Sequence, residues 1–178
     1  DRIASMVVNA DRMRAEKRPY AQPDRFDYDV SELVSPRNTD QYDVHKPPDR
    51  QRRVQRMVAL MQMTYVGAPM IYYGTEAGKW GADDPGDRQP MVWDDMQYDD
   101  QRSDPLGRAR RREQVAFDRS LAQFYRASIA LRRLMPALRQ GSFKILASDK
   151  QALFFAFERR LDNLRLLVAL NRGDAPYQ

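Results

Sequence analysis

The 178-residue chain contains no cysteine and a single histidine, His45. The first absence excludes disulfides and thiolate metal sites, and fits a reducing compartment. The second excludes a Ser/His/Asp triad and any metal centre built from several histidines. No metal and no cofactor is therefore expected. No apolar run is long enough to cross a bilayer, and the first residues do not read as a secretion signal, so a soluble chain without a membrane partner is expected. The sequence also lacks internal repeats and any zinc-finger, RRM or basic-zipper pattern.

What is present supports a folded core. The apolar fraction is 42%, and the length suits one domain, or one domain and a piece of a second. The formal charge is +5, but the basic residues, nearly all arginine, are interleaved with 25 acids. The one dense cluster, "GRARRREQ", carries Glu113 and reads as a solvated helix start or loop. A nucleic-acid partner is not expected; flat salt dependence of retention on heparin would exclude that class.

Hydrophobic spacing organises the rest. "RIASMVVN" reads as one or two helical turns, and residues 10 to about 49 as a long loop. "DRQRRVQRMVALMQMTYV" is an amphipathic helix with Asp49 as its N-cap, an inner stripe of Val54, Met57, Val58, Met61 and Tyr65, and Gly67 as its stop. "APMIYY" reads as a strand buried on both faces, of the kind found in parallel sheets. Residues 74 to about 115 form a second long polar segment. "DRSLAQFYRASIALRRLM" is a helix with Phe117, Leu121, Phe124, Tyr125, Ser128 and Leu131 inward, ended by Pro136. The runs "SFKILASD", "ALFFAFERR" and "LRLLVALNR" read as an antiparallel meander.

The stretch "GAPMIYYGTEAG" followed by "DDPGDRQPMVW" resembles the eighth barrel strand and following loop of the α-amylase family, glycoside hydrolase family 13, on the branch containing neopullulanases and cyclomaltodextrinases. The flanking helices and terminal strands occur in the order that family uses. The resemblance implies an α/β fold: the C-terminal portion of a (β/α)8 TIM barrel over residues 1–140, followed by an incomplete antiparallel β domain, the start of domain C, over 141–178. A complete barrel takes about 250 residues. The opening "DRIASM" resembles the continuation of the family's S-H-D-T-D-R segment, which implies that the catalytic carboxylates lie upstream of Asp1 and that the chain alone is inactive.

The resemblance further implies a parent enzyme that hydrolyses α-1,4 or α-1,6 glucosidic bonds with retention, through two carboxyl groups about 5 Å apart. The parent would be cytoplasmic or periplasmic, and its partner an α-glucan oligosaccharide. Four residues are candidates for substrate binding. Asp84 and Arg88 resemble the family's D-P-x-x-R pair, which holds a glucose residue; folding the loop is the other reading. Glu76 either orients catalytic groups or a sugar hydroxyl, or caps backbone N–H groups. Trp80 either stacks on a sugar face or packs. For Trp93, Tyr72 and Tyr73, packing is the expectation, and for His45 a surface position. Lys79 departs from the apolar residue usual in the family. A non-catalytic carbohydrate-binding or scaffold module is the alternative function. The unpartnered apolar strand and helix stripes imply self-association of the fragment.

Overall fold

A computed structural model of the chain describes residues 3–15, 43–81, 86–104 and 106–177. Among the described residues, four helices and five strands occur in the order α1 (Ile3–Ala15), α2 (Asp49–Thr64), β1 (Gln101–Ser103), β2 (Ala109–Glu113), α3 (Arg119–Leu134), α4 (Pro136–Gln140), β3 (Ser142–Asp149), β4 (Phe154–Leu161) and β5 (Leu164–Asn171). The chain divides into two compact units. One comprises Asp1–Gln55 and Ile71–Ala122, the other Arg56–Met70 and Gln123–Gln178.

In the first unit α1 is longer than the one or two turns expected. It continues through "ADRMRA", whose Ala, Arg and Met residues are good helix formers, so residues 10–15 are helix rather than loop. Residues 16–42 of the expected loop lie outside the described residues. Asn9 is buried and its amide fixes the next described segment: Nδ2 donates to the carbonyls of Ser5 and Asp43, each at 2.9 Å, and Oδ1 accepts from the Asp43 N–H at 2.7 Å.

The helix expected at Asp49 is present, but Asp49 is not its N-cap. The Pro48 carbonyl accepts from the N–H groups of Gln51 (3.1 Å) and Arg52 (3.2 Å), so Pro48 holds the cap position. Asp49 lies inside the first turn, where its charge still favours the positive end of the helix dipole. Gly67, with φ +95°, follows the helix in the left-handed conformation expected of a stop.

The buried line of α2 also differs from the expected stripe. Arg52, Gln55, Ala59 and Met63 are buried, while Val54, Met57, Val58, Met61 and Tyr65 are only partly covered. Arg52 donates to the Gly78 carbonyl (2.5 Å) and to Gln55 Oε1 (3.0 Å), and Gln55 Nε2 donates to the Thr75 carbonyl (3.0 Å). A polar helix face can be buried when each group finds a partner, and here the partners are the backbone of one tight turn.

The run "APMIYY" is the largest departure. No ladder hydrogen bonds make it a strand, and Met70, Tyr72 and Tyr73 are exposed. Burial on both faces needs strands on either side, and the described residues contain no parallel strand pair. Conversely, the polar segment 74–115 contains a hairpin. β1 and β2 are antiparallel, with Gln101 opposite Glu113 and Ser103 opposite Ala109. Thus "GRARRREQ", expected as a helix start or loop, supplies strand β2.

In the second unit β3, β4 and β5 form an antiparallel sheet in sequence order, as the meander pattern predicts. Asp162 has φ +50° in a two-residue Asp-Asn connection closed by the Leu161–Leu164 pair, the left-handed geometry that matches the twist of a hairpin. The buried face centres on Phe157 and Arg159. Tyr65 packs edge-on against Phe143 and Phe157, with ring centroids 4.8 and 5.8 Å apart. Tyr125 and Ser128 of α3 are buried as expected. Pro136 ends α3 and occupies the first turn of the short helix α4, which hydrophobic spacing did not reveal.

Candidate functional site

The site is built on the first unit by the segment from Gly74 to Trp93 and the hairpin that follows it. A tight turn starts it: Thr75 N–H donates to the Tyr72 carbonyl (3.1 Å), and the N–H groups of Ala77 (3.1 Å) and Lys79 (3.0 Å) both donate to the Gly74 carbonyl. Gly74 and Gly78 adopt φ +77° and +84°, which a side chain would strain. A Cβ at Gly78 would also lie 2.7 Å from Asp118 Cβ. Asp118 is held against this turn, its N–H donating to the Ala77 carbonyl (2.9 Å), and its Oδ1 accepts from the Leu121 N–H (2.9 Å) at the start of α3.

Glu76 sits in this turn, half-buried. Its Oε2 is enclosed and without a hydrogen bond among the described residues, so no backbone N–H supports the capping reading. Trp80 is buried, 6% exposed, with the Lys46 ammonium 5.3 Å from its ring centre and its indole N–H unmatched among the described residues. It therefore presents no open stacking face. Trp93 is the reverse of its expectation: it is 55% exposed, not packed. Arg88 is exposed. Asp84 lies outside the described residues.

Lys79, the residue that departs from the family pattern, is buried and anchors the segment. Its ammonium donates to the Gln89 carbonyl and lies 4.8 Å from the centre of the Tyr73 ring. The Tyr73 hydroxyl donates to the same carbonyl (3.0 Å), and this exposed ring is engaged rather than packed. Gln89 Oε1 accepts from Gln101 Nε2 (3.2 Å), and Gln101 Oε1 accepts from Arg110 (2.9 Å). The chain of bonds ends on Glu113, which accepts from Arg110 at 2.5 Å.

Glu113 is 5% exposed. It also accepts from the Lys46 N–H (2.9 Å) and from Arg111 (3.3 Å), and its Oε1 lies 3.3 Å from His45 Nδ1. His45 is thus a neighbour of a buried carboxylate, not an isolated surface side chain. Burial by itself would raise the Glu113 pKa, but the Lys46 N–H and the Arg110 guanidinium outweigh it and hold the carboxyl below its ordinary value. Asp104 behaves alike at the hairpin turn: burial opposes, and the Arg108 and Leu106 N–H groups with the Arg108 guanidinium prevail. Hydrophobic spacing could not find this network. Its signals were the Asp-Pro-Leu-Gly turn residues 104–107 between two short polar runs, and Lys79 itself.

Carboxylates, amides and an arginine of this kind can donate to and accept from hydroxyl groups. No group of three or more His, Asp or Glu residues that could hold a metal ion occurs among the described residues. Comparisons with known proteins define the class. No family model matches the chain. Neopullulanase 2 of Thermoactinomyces vulgaris is 38% identical over 120 residues, covering 67% of this chain and 17% of that protein. A cyclomaltodextrinase of a Bacillus species is 35% identical over 127 residues, covering 71% of this chain and 19% of that protein. A solved cyclomaltodextrinase structure superposes over 68% of this chain and 17% of its own, with a TM-score of 0.51 at 34% identity.

Over this matched part the chain belongs to the α-amylase family, glycoside hydrolase family 13, on its neopullulanase-like branch. The chain spans less than a fifth of the length of these relatives.

Proposed function

We propose that the chain is part of a retaining α-glucan hydrolase that acts on α-1,4 or α-1,6 glucosidic bonds in starch-, pullulan- or cyclodextrin-like substrates. The observation that carries this reading is the likeness to neopullulanase and cyclomaltodextrinase over two thirds of the chain, joined to the "GTEAG" turn and "DDPGDRQPMVW" loop within it. In this reading residues 1–140 are barrel and 141–178 begin the β domain. The catalytic carboxylates come from the large part of the relatives that this chain does not match, and the chain serves the substrate side. Arg88 donates to sugar oxygens through its planar fork, with Asp84 accepting from neighbouring hydroxyls. The enclosed, unbonded oxygen of Glu76 accepts from a sugar hydroxyl or steadies a catalytic group. Trp80 acts from beneath, keeping the loop in shape.

The exposed apolar side chains of Val66, Met70, Tyr72 and Tyr73 support self-association of the isolated chain.

The test is hydrolysis of γ-cyclodextrin, pullulan and starch by the intact enzyme that contains this sequence, with the anomeric configuration of the first product read by proton NMR. Retention is expected, and the purified 178-residue chain should release no reducing sugar. Inversion, or turnover by the chain alone, contradicts the reading.

A further inference from the structure

Beside the hairpin lies an open cleft of about 720 Å³. One wall is Gln89–Pro90, the residues directly after Arg88; the other runs from Asp99 to Asp104, with Arg112 of β2 behind it. Its polar groups fall into two sets. The first set is committed to holding the walls. Asp100 pairs with Arg112, Asp104 accepts from Arg108 at 2.5 Å, and Gln101 is bonded to Gln89 at 3.2 Å. The second set is free. Asp99, Arg102 and Ser103 are exposed, and their side chains have no hydrogen bond or ion pair among the described residues.

A fixed frame that leaves one carboxylate, one guanidinium and one hydroxyl pointing to solvent defines the chemistry of an occupant. Three aspartates in the lining disfavour a phosphate or nucleic acid. Two of those aspartates are already neutralised by arginines, and they do not converge as metal ligands. A neutral ligand carrying both donors and acceptors remains. Vicinal hydroxyls meet that need: they donate to a carboxylate while their oxygens accept from an arginine fork. No aromatic ring lines the cleft, so contact is through polar groups alone and affinity should be weak.

We propose that this cleft is an accessory sugar subsite, which takes a glucosyl unit of an α-glucan chain extended beyond the unit held by Arg88, with Asp99 and Arg102 as its ligands. The proposal rests on the reading of Arg88 as a sugar contact. Gln89 makes the two places continuous, since it follows Arg88 in the chain and forms the wall of the cleft.

The experiment is titration of the isotope-labelled 178-residue chain with maltohexaose, followed by amide NMR shifts, with sorbitol at equal hydroxyl concentration as the control. Maltohexaose at millimolar concentration should move the amides of Gln89 and of residues 99–103, and sorbitol should not. Arg102→Met and Asp99→Asn, both surface changes, should weaken the cleft response at least fivefold and leave the spectrum of the free chain otherwise unaltered. Shifts around Arg88 with none in the cleft overturn the subsite and spare the Arg88 reading. Silence at both places overturns both. An equal response to sorbitol, or undiminished binding by Arg102→Met, overturns the subsite.

Discussion

Arg132 of α3 and Arg159 of β4 grip the same helix end. Arg132 donates to the carbonyls of Met63 (2.8 Å), Tyr65 (3.1 Å) and Gly67 (2.6 Å), and Arg159 donates to that of Thr64 between them (2.9 Å). These are the acceptors a helix leaves unmatched at its C-terminus, where the dipole also favours positive charge. Arg159, only 1% exposed, additionally donates to the carbonyls of Ser142 (3.2 Å) and Gly141 (3.0 Å). Burial and the like charge of Arg132 lower its pKa, yet an arginine stays protonated throughout the accessible range.

Arg159→Met is therefore expected to destabilise the chain by about 2–4 kcal/mol, because it leaves several buried carbonyls unmatched. Arg132→Met, on a less buried side chain, should cost less. Urea midpoints of the two variants check the order; an Arg159→Met midpoint within error of the parent would remove this role.

Acid should loosen the hairpin through Glu113. Its folded pKa is depressed, so the stability it contributes is present above its unfolded value, about 4.3, and is lost as pH falls through the lower folded value. Asp104 adds a contribution of the same sign. Stability should thus fall between pH 5 and pH 3, and Glu113→Gln should be less stable at pH 7 with a shallower fall. Urea titrations across that range decide; parallel pH profiles for parent and variant count against it.

Around α3, Gly78→Ala should cost more than Asp118→Ala. The first forces a Cβ into a left-handed turn and to 2.7 Å from Asp118 Cβ. The second removes the oxygen that accepts from the Leu121 N–H, a capping loss of about 1 kcal/mol. Thermal midpoints rank the two, and the reverse order would show that the turn relaxes freely.

The proposed sugar contact of Arg88 predicts that Arg88→Ala, in the intact enzyme, raises KM for maltooligosaccharides about tenfold or more while changing kcat less, since holding a remote sugar contributes to ground state and transition state alike. A loss confined to kcat would instead place Arg88 next to the reacting atoms.

Replacing Lys79 by methionine, closer to the family's apolar residue, removes the bond to the Gln89 carbonyl. The expected sign is faster hydrogen exchange at Gln89 and Gln101, with the sheet of the second unit unaffected. Unchanged exchange would mean that the Tyr73 hydroxyl, which shares that acceptor, is enough to hold it.

The sequence by itself determined the two long helices, the Gly67 stop, the α3 stripe at Leu121, Tyr125 and Ser128, the terminal meander and the family. Each of these depends on local spacing, turn residues or an ordered motif that is written in consecutive positions. Only the tertiary structure decided that Arg52 and Gln55 face inward, that Trp80 is buried and Trp93 open, and that "GRARRREQ" is a strand ending on a buried glutamate. It also decided that "APMIYY", apolar enough for a central strand, lies exposed among the described residues. The reason is the same in each case. Burial of a polar group, or exposure of an apolar one, depends on whether a partner distant in the chain arrives beside it, and hydrophobic spacing carries no record of that partner.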